Sequence, residues 1–87
     1  MTAPSNEIRT RLRAFVLDEL LFGDAGAMLA DDDSFIDTGT IDSTGVLEVV
    51  TFVETAFGVQ VEDREMVPEN LDSIDRLVAF IVRKHGE

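Results

Sequence analysis

The chain has 87 residues, no cysteine, one histidine and a formal net charge of −11. That length suits one domain, residues 1 to 87, whose core is too small to wall off a deep catalytic cleft easily. The missing thiols exclude disulfides, cysteine nucleophiles and cysteine-ligated zinc, and the charge repels nucleic acid and anionic membranes while favouring basic protein surfaces.

The charge is unevenly placed. Basic residues are confined to Arg9, Arg11 and Arg13 near one end and Arg64, Arg76, Arg83 and Lys84 near the other. Between Ala14 and Asp63 there are twelve Asp or Glu and no Lys or Arg. Acid serving only solubility would be scattered, whereas here it surrounds the middle of the chain. The opening MTAPSNEIRT has neither the basic start nor the apolar core of a signal peptide, and no apolar run approaches the eighteen or so residues that cross a bilayer. A cytoplasmic location is expected.

The first helical pattern runs over 6 to 21, with Ile8, Leu12, Phe15, Val16 and Leu20 at helical spacing, Ser5 or Asn6 as N-cap and Gly23 as the stop. Arg9 and Arg13 fall on its exposed side, where Arg9 can pair with acids one turn away. The next twenty residues, DAGAMLADDDSFIDTGTIDS, hold no sustained period. A loop that long in a small domain tends to be functional. Met28, Leu29, Phe35, Ile36 and Ile41 are the residues that would pin it to the core, with one short helical turn, and Gly39 permits a sharp bend.

A second helix is expected from Ser43 to Phe57, with Val46, Leu47, Val50, Val53 and Phe57 inward and Glu48, Thr51, Thr55 and Glu54 outward. Gly58 ends it. The short VQV at 59 to 61 has no partner strand and reads as a buried connector. Asp63 to Val67 forms a short third helix halted at Pro68. The last helix spans Ser73 to Lys84, with Ile74, Leu77, Val78, Ile81 and Val82 inward, Asp72 as cap, Asp75 in its first turn and Arg83 and Lys84 at its end. The expected fold is all-α: a four-helix bundle of three main helices and one short one, with a long loop between the first and second.

Few motifs carry chemistry. ADDDSFID suggests calcium, but a loop starting at Asp31 puts Phe35 and Ile36 where an EF-hand needs an oxygen ligand and a glycine. GDAGAM lacks the lysine and preceding strand of a phosphate-binding loop. His85 reads as a frayed terminal residue, and neither a catalytic triad nor a carboxylate dyad can be assembled, so no enzymatic activity is expected. Two Asp-Ser pairs, Asp42-Ser43 and Asp72-Ser73, each open a helix, where both residue types are favoured caps. Ser73 is read as a cap and no more. Ser43 differs: it follows a long glycine-containing loop at the centre of the acidic tract. Gly45 in its first turn costs about 1 kcal/mol relative to Ala but permits close approach. A phosphate ester on Ser43 would lie at a helix N-terminus, where backbone N–H groups and the dipole favour an anion.

With these residues in view, GTIDSTGVLEVVTFVETAFGVQV resembles the core of the acyl and peptidyl carrier proteins. Their pattern of Gly-x-x-Asp-Ser followed by a Glu-studded helix ending in Phe is met by Gly39, Asp42, Ser43, Glu48, Glu54 and Phe57, and the likeness extends over nearly the whole chain. The resemblance implies that Ser43 is esterified with 4′-phosphopantetheine from coenzyme A by a phosphopantetheinyl transferase, so that the thiol absent from the chain arrives with the cofactor and carries an acyl or aminoacyl group as a thioester. It implies that Asp42 assists the transferase at the serine. Asp37, Thr44, Gly45, Glu48 and Glu54 would then meet partner enzymes: an AMP-forming acyl or aminoacyl ligase, and a downstream acyltransferase or synthase with a basic docking surface. The position after the serine, commonly Leu or Met in that family, is Thr44 here, which implies a dedicated partner set rather than housekeeping fatty-acid synthesis. A monomer is expected.

The rival reading is an acidic helical adaptor or nucleic-acid mimic that occupies a basic protein surface without any prosthetic group. It explains the charge but not why Asp42-Ser43 opens the second helix. Either way, self-repulsion among so many acids weakens the fold at low ionic strength. The melting temperature should therefore rise between low and moderate salt; an unchanged value would show that self-repulsion is not felt.

Overall fold

The computed structural model describes residues 5 to 86. Its four α-helices are α1 (Ser5–Phe15), α2 (Ser43–Phe57), α3 (Pro68–Leu71) and α4 (Ile74–His85), and no strand occurs among the described residues. The fold is all-α. No helix among those residues is long and apolar enough to cross a membrane.

Helix α1 is shorter than its apolar period suggests. Ser5 and Asn6 are both already helical, so neither is the N-cap that the sequence suggested. After Phe15 the chain widens into a π-helical turn, Val16–Leu20, closed by Leu21 N–H on the Val16 carbonyl at 3.0 Å and Gly23 N–H on the Leu17 carbonyl at 2.8 Å. The stop is not Gly23 alone. Phe22 precedes it in the left-handed region at φ 53°, and Gly23 follows at 81°.

Ile8, Leu12 and Val16 are buried and turn towards α4, whose Ile74, Leu77, Val78 and Ile81 complete the core with Phe80. Each such side chain contributes on the order of 2 kcal/mol of burial. One inward assignment on α4, Val82, does not hold, and Phe80 is buried instead. Val82 is partly exposed and Phe80 fully buried, because both α1 and α3 pack on α4 and cover more of its circumference than one stripe. On α2, Leu47 is 58% exposed and Val49 is buried instead. Leu47 lies about 100° round the helix from Val46, outside the arc that Val49, Val50 and Val53 present to the core.

The short third helix is displaced from its expected position. A 3-10 turn, Asp63–Glu65, comes first, with Glu62 and Glu65 each accepting the other's backbone N–H. Pro68 then begins α3 rather than ending a helix, since its fixed φ suits the first helical position and its missing N–H is not needed there. Ser73, not Asp72, caps α4 by accepting Arg76 N–H at 3.0 Å. His85 is not frayed either: its Nε2–H donates to the Phe57 carbonyl at 2.9 Å, while Nδ1 is buried without a hydrogen-bond partner. Arg11 donates to the Ala56 carbonyl and lies over the Phe57 ring. The C-terminal end of α2 thus receives donors from two other helices, satisfying its last carbonyls.

Arg9 and Arg13 find acids far along the chain rather than one turn away. Asp31 accepts from both, and Asp75 also accepts from Arg9. Partial burial pushes the Asp31 carboxyl up, but the two arginine hydrogen bonds outweigh it and hold the group below its ordinary value. Glu65 is held low by the Glu62 N–H and by Lys84. For both groups the unfolded chain takes up protons first. The stability they confer is therefore present above the ordinary carboxyl values of 3.8 and 4.5 and lost as pH falls through the lower folded values. Urea midpoints measured from pH 6 to pH 2 should fall across that acid range, with a shallower fall for Asp31→Asn; parallel curves would remove Asp31 from the acid transition.

Candidate functional site

The start of α2 is set by the segment before it. Phe35 is buried and its N–H bonds the Asp72 carbonyl at 3.0 Å. The Asp72 carboxylate accepts from Ser34 Oγ and from Ile36 N–H, which is why Asp72 is not the α4 cap. The chain then folds back on Phe35, whose carbonyl accepts Thr40 N–H at 2.9 Å and Ile41 N–H at 3.3 Å. Gly39 takes the left-handed bend at φ 74°, a conformation costly for a residue with a Cβ. Ile41 is buried by this turn. Ile36 is not: it stands 53% exposed, since the clamp on its N–H turns it outward. Met28 and Leu29 pack partly against the core.

Asp42 follows Ile41 in an extended conformation, and its Oδ1 accepts Gly45 N–H at 2.9 Å. Asp42 is therefore the N-cap and Ser43 the first helical residue. Gly45 serves a packing purpose: a Cβ there would lie 3.1 Å from Ile41 Cγ2 and 3.6 Å from Asp42 Oδ1. Its small size lets the first turn of α2 settle over Ile41.

Two concavities adjoin this turn on different faces of α2. One is a cavity of about 220 Å³ lined by Ile41 and Val46 of the site and by Phe35, Met66 and Leu71. The other is an open groove between α1 and α2 in which Thr44, Leu47, Glu48, Thr51 and Thr55 face Arg11, Phe15, Asp18 and Phe22. Stacking of Phe15 on Phe52, with ring centroids 4.2 Å apart, and the edge-on contact of Phe52 with Phe57 close its floor.

The residues expected to meet partners are not all brought together. Thr44 and Glu48 are exposed on the groove wall. Asp37 is exposed on the preceding turn, its N–H bonded to Ser34 Oγ. Gly45 is half-buried, and so is Glu54, whose carboxylate accepts Val61 N–H at 3.0 Å and ties the 59–61 connector to α2. The sequence suggests Asp72 only as a helix cap and gives no role to Phe22. Asp72 sits beside a better cap, a pattern that leaves its carboxylate for other use, whereas Phe22 carries no signal of exposure. Among the described residues no group of three or more His, Asp or Glu is arranged to hold a metal ion. No protein-family model matches the chain.

The cap and the residue after it have separable roles. Asp42→Ala should lower stability by about 1 kcal/mol, and Ser43→Ala should leave it within about 0.5 kcal/mol of the parent, as measured by urea denaturation. Equal losses would mean that the serine shares the capping.

Proposed function

We propose that this chain is a carrier protein whose Ser43 is the attachment residue for 4′-phosphopantetheine. The observation that carries the reading is the division of roles at the start of α2: Asp42 caps the helix, so the serine that follows is not needed as a cap. Its neighbours on both sides, Asp42 and Thr44, are exposed, which leaves room for an arm and for the enzyme that would install it. Gly45 brings backbone rather than side chain to the same turn, and a phosphate ester at a helix N-terminus is favoured by the dipole and by backbone N–H groups. When bound, the group supplies the terminal thiol that a chain without cysteine lacks, and holds an acyl or aminoacyl cargo as a thioester.

The chain's own residues then have two tasks. Asp42 fixes the helix start and so the direction in which the arm leaves. Asp37, Thr44 and Glu48 offer an exposed, mainly acidic border to a phosphopantetheinyl transferase, an AMP-forming ligase and a downstream acyltransferase or synthase. Single pairs of that kind are weak, which suits brief and repeated docking. The apolar cavity beside Ile41 and Val46 is suited to an apolar cargo, while a polar one would stay in solvent. The finer architecture of this reading is a four-helix bundle with a long loop joining the first and second helices, working as a monomer in the cytoplasm.

Incubation with coenzyme A and a broad-specificity phosphopantetheinyl transferase, followed by intact-mass measurement, should add one phosphopantetheine to the parent chain and none to Ser43→Ala. No mass gain on a folded chain would leave the acidic adaptor, acting without a prosthetic group, as the better reading.

A further inference from the structure

The turn that delivers the chain to Ser43 is held from outside at a single residue. Among the described residues, every hydrogen bond by which residues 34 to 41 reach another element ends on Asp72. Ser34 Oγ and Ile36 N–H donate to its carboxylate, the latter at 3.0 Å, and Phe35 N–H donates to its carbonyl at 3.0 Å. Asp72 is available for this because it lies between elements, following α3 and preceding the Ser73 that caps α4. Ser34 Oγ in turn accepts Asp37 N–H at 3.0 Å, so the same clamp fixes the start of the turn through Gly39.

Close packing does not replace this clamp. The cavity of about 220 Å³ borders the segment directly, with Phe35, Ile36, Ile41 and Asp72 itself in its lining, and Ile36 is largely in solvent. A packed interior resists displacement because its atoms have neighbours on all sides. Here the segment borders empty space and water, so hydrogen bonds decide where it sits. The constraint then passes to α2. Ile41 is buried against the first turn, where a Cβ on Gly45 would lie 3.1 Å from its Cγ2, and Asp42 caps the helix on Gly45 N–H. At that separation Ile41 cannot shift and leave the start of α2 unmoved.

We propose that Asp72 is a positioning residue for the attachment site: by holding residues 34 to 36 at the junction of α3 and α4, its carboxylate fixes where α2 begins and so presents Ser43 to the enzyme that modifies it. This rests on the reading of Ser43 as the attachment residue. Asp72 touches neither the serine nor the incoming group. It acts through Ile36, the Gly39 turn, Ile41 and Asp42. Without the clamp the segment samples other arrangements, and a transferase binds only the fraction that offers Ser43 at the helix start. The apparent affinity falls by that fraction, while the transfer step, once the serine is seated, proceeds as before.

The test uses the full chain, at a temperature where each variant is folded, with coenzyme A and a broad-specificity phosphopantetheinyl transferase. Asp72→Ala should raise the KM for the carrier about tenfold with kcat held. Asp72→Asn keeps a carbonyl for Ile36 N–H and an amide for Ser34, and should stay within about threefold of the parent. Ser73→Ala removes the α4 cap but leaves the clamp, and should keep the parental KM despite its lower stability. Hydrogen exchange supplies a readout without the transferase: Gly45 and Val46 N–H, both bonded to Asp42, should exchange faster in Asp72→Ala and at the parental rate in Ser73→Ala. The proposal is overturned if Asp72→Ala keeps the parental KM or the parental exchange at these amides. It is also overturned if Ser73→Ala raises KM equally, which would make the effect one of stability, or if Asp72→Asn is as impaired as Asp72→Ala, which would assign it to surface charge. A fall in kcat at unchanged KM would place Asp72 at the transfer step and overturn it too. A parent chain that gains no phosphopantetheine refutes the attachment reading itself, and the exchange of Gly45 and Val46 then decides whether Asp72 sets the start of α2.

Discussion

The arrangement depends on how the segment between α1 and α2 is tied to the start of α4. That segment has no regular ladder of its own, so its backbone groups need partners elsewhere. Some find them in turns within the segment, and the bonds that leave it converge on one place: Asp72 accepts from Ser34 and Ile36, its carbonyl takes Phe35 N–H, and Asp75 N–H bonds the Asp31 carbonyl at 2.9 Å. Hydrogen bonds to a carboxylate are among the stronger ones, at about 1.5–3 kcal/mol. Once Phe35 is buried, the turn through Gly39 can only return Ile41 to the core, and Asp42 then meets the first turn of α2. The position of Ser43 is thus the end of a chain of constraints that begins at the junction of α3 and α4.

The same economy governs charge. In a chain with 18 acids and 7 basic residues, where each arginine points matters more than how many acids there are. Arg9 and Arg13 converge on Asp31, with Asp75 beside it, and fasten α1 to the connecting segment and to α4. Arg11 and His85 attend to the C-terminal carbonyls of α2. The two ends of α2 are therefore treated differently: one is closed by donors from α1 and α4, and the other is capped by Asp42, with exposed Thr44 beside it.

Packing around α2 is asymmetric in the same sense. Val49, Val50 and Val53 close one side against the core, and aromatic rings span the other side towards α1. Helix α1 packs closely on α4 and reaches α2 through Phe15 and Phe52, which is why a groove opens along α2. Gly45 sits between these regimes, half-buried over Ile41 yet adjacent to the exposed Thr44.

Local chemistry was legible in the amino-acid sequence. The span of α2 from Ser43 to Phe57 with its stop at Gly58, the bend at Gly39, and the burial of Ile8, Leu12, Val16, Val53 and Ile74 follow from periodicity and from glycine's access to positive φ, properties carried by a few neighbouring residues. What depended on contacts between distant segments was not legible. That Asp72 clamps residue 36 rather than capping α4 beside Ser73, that Arg9 seeks Asp31 rather than a near neighbour, that Phe80 is buried and Leu47 is not, and that His85 closes α2 were decided by which surfaces meet. Periodicity reports which side chains share a face, but hydrogen-bond partners and the width of a buried arc are properties of two packed elements, and only the tertiary structure brings the second one into place.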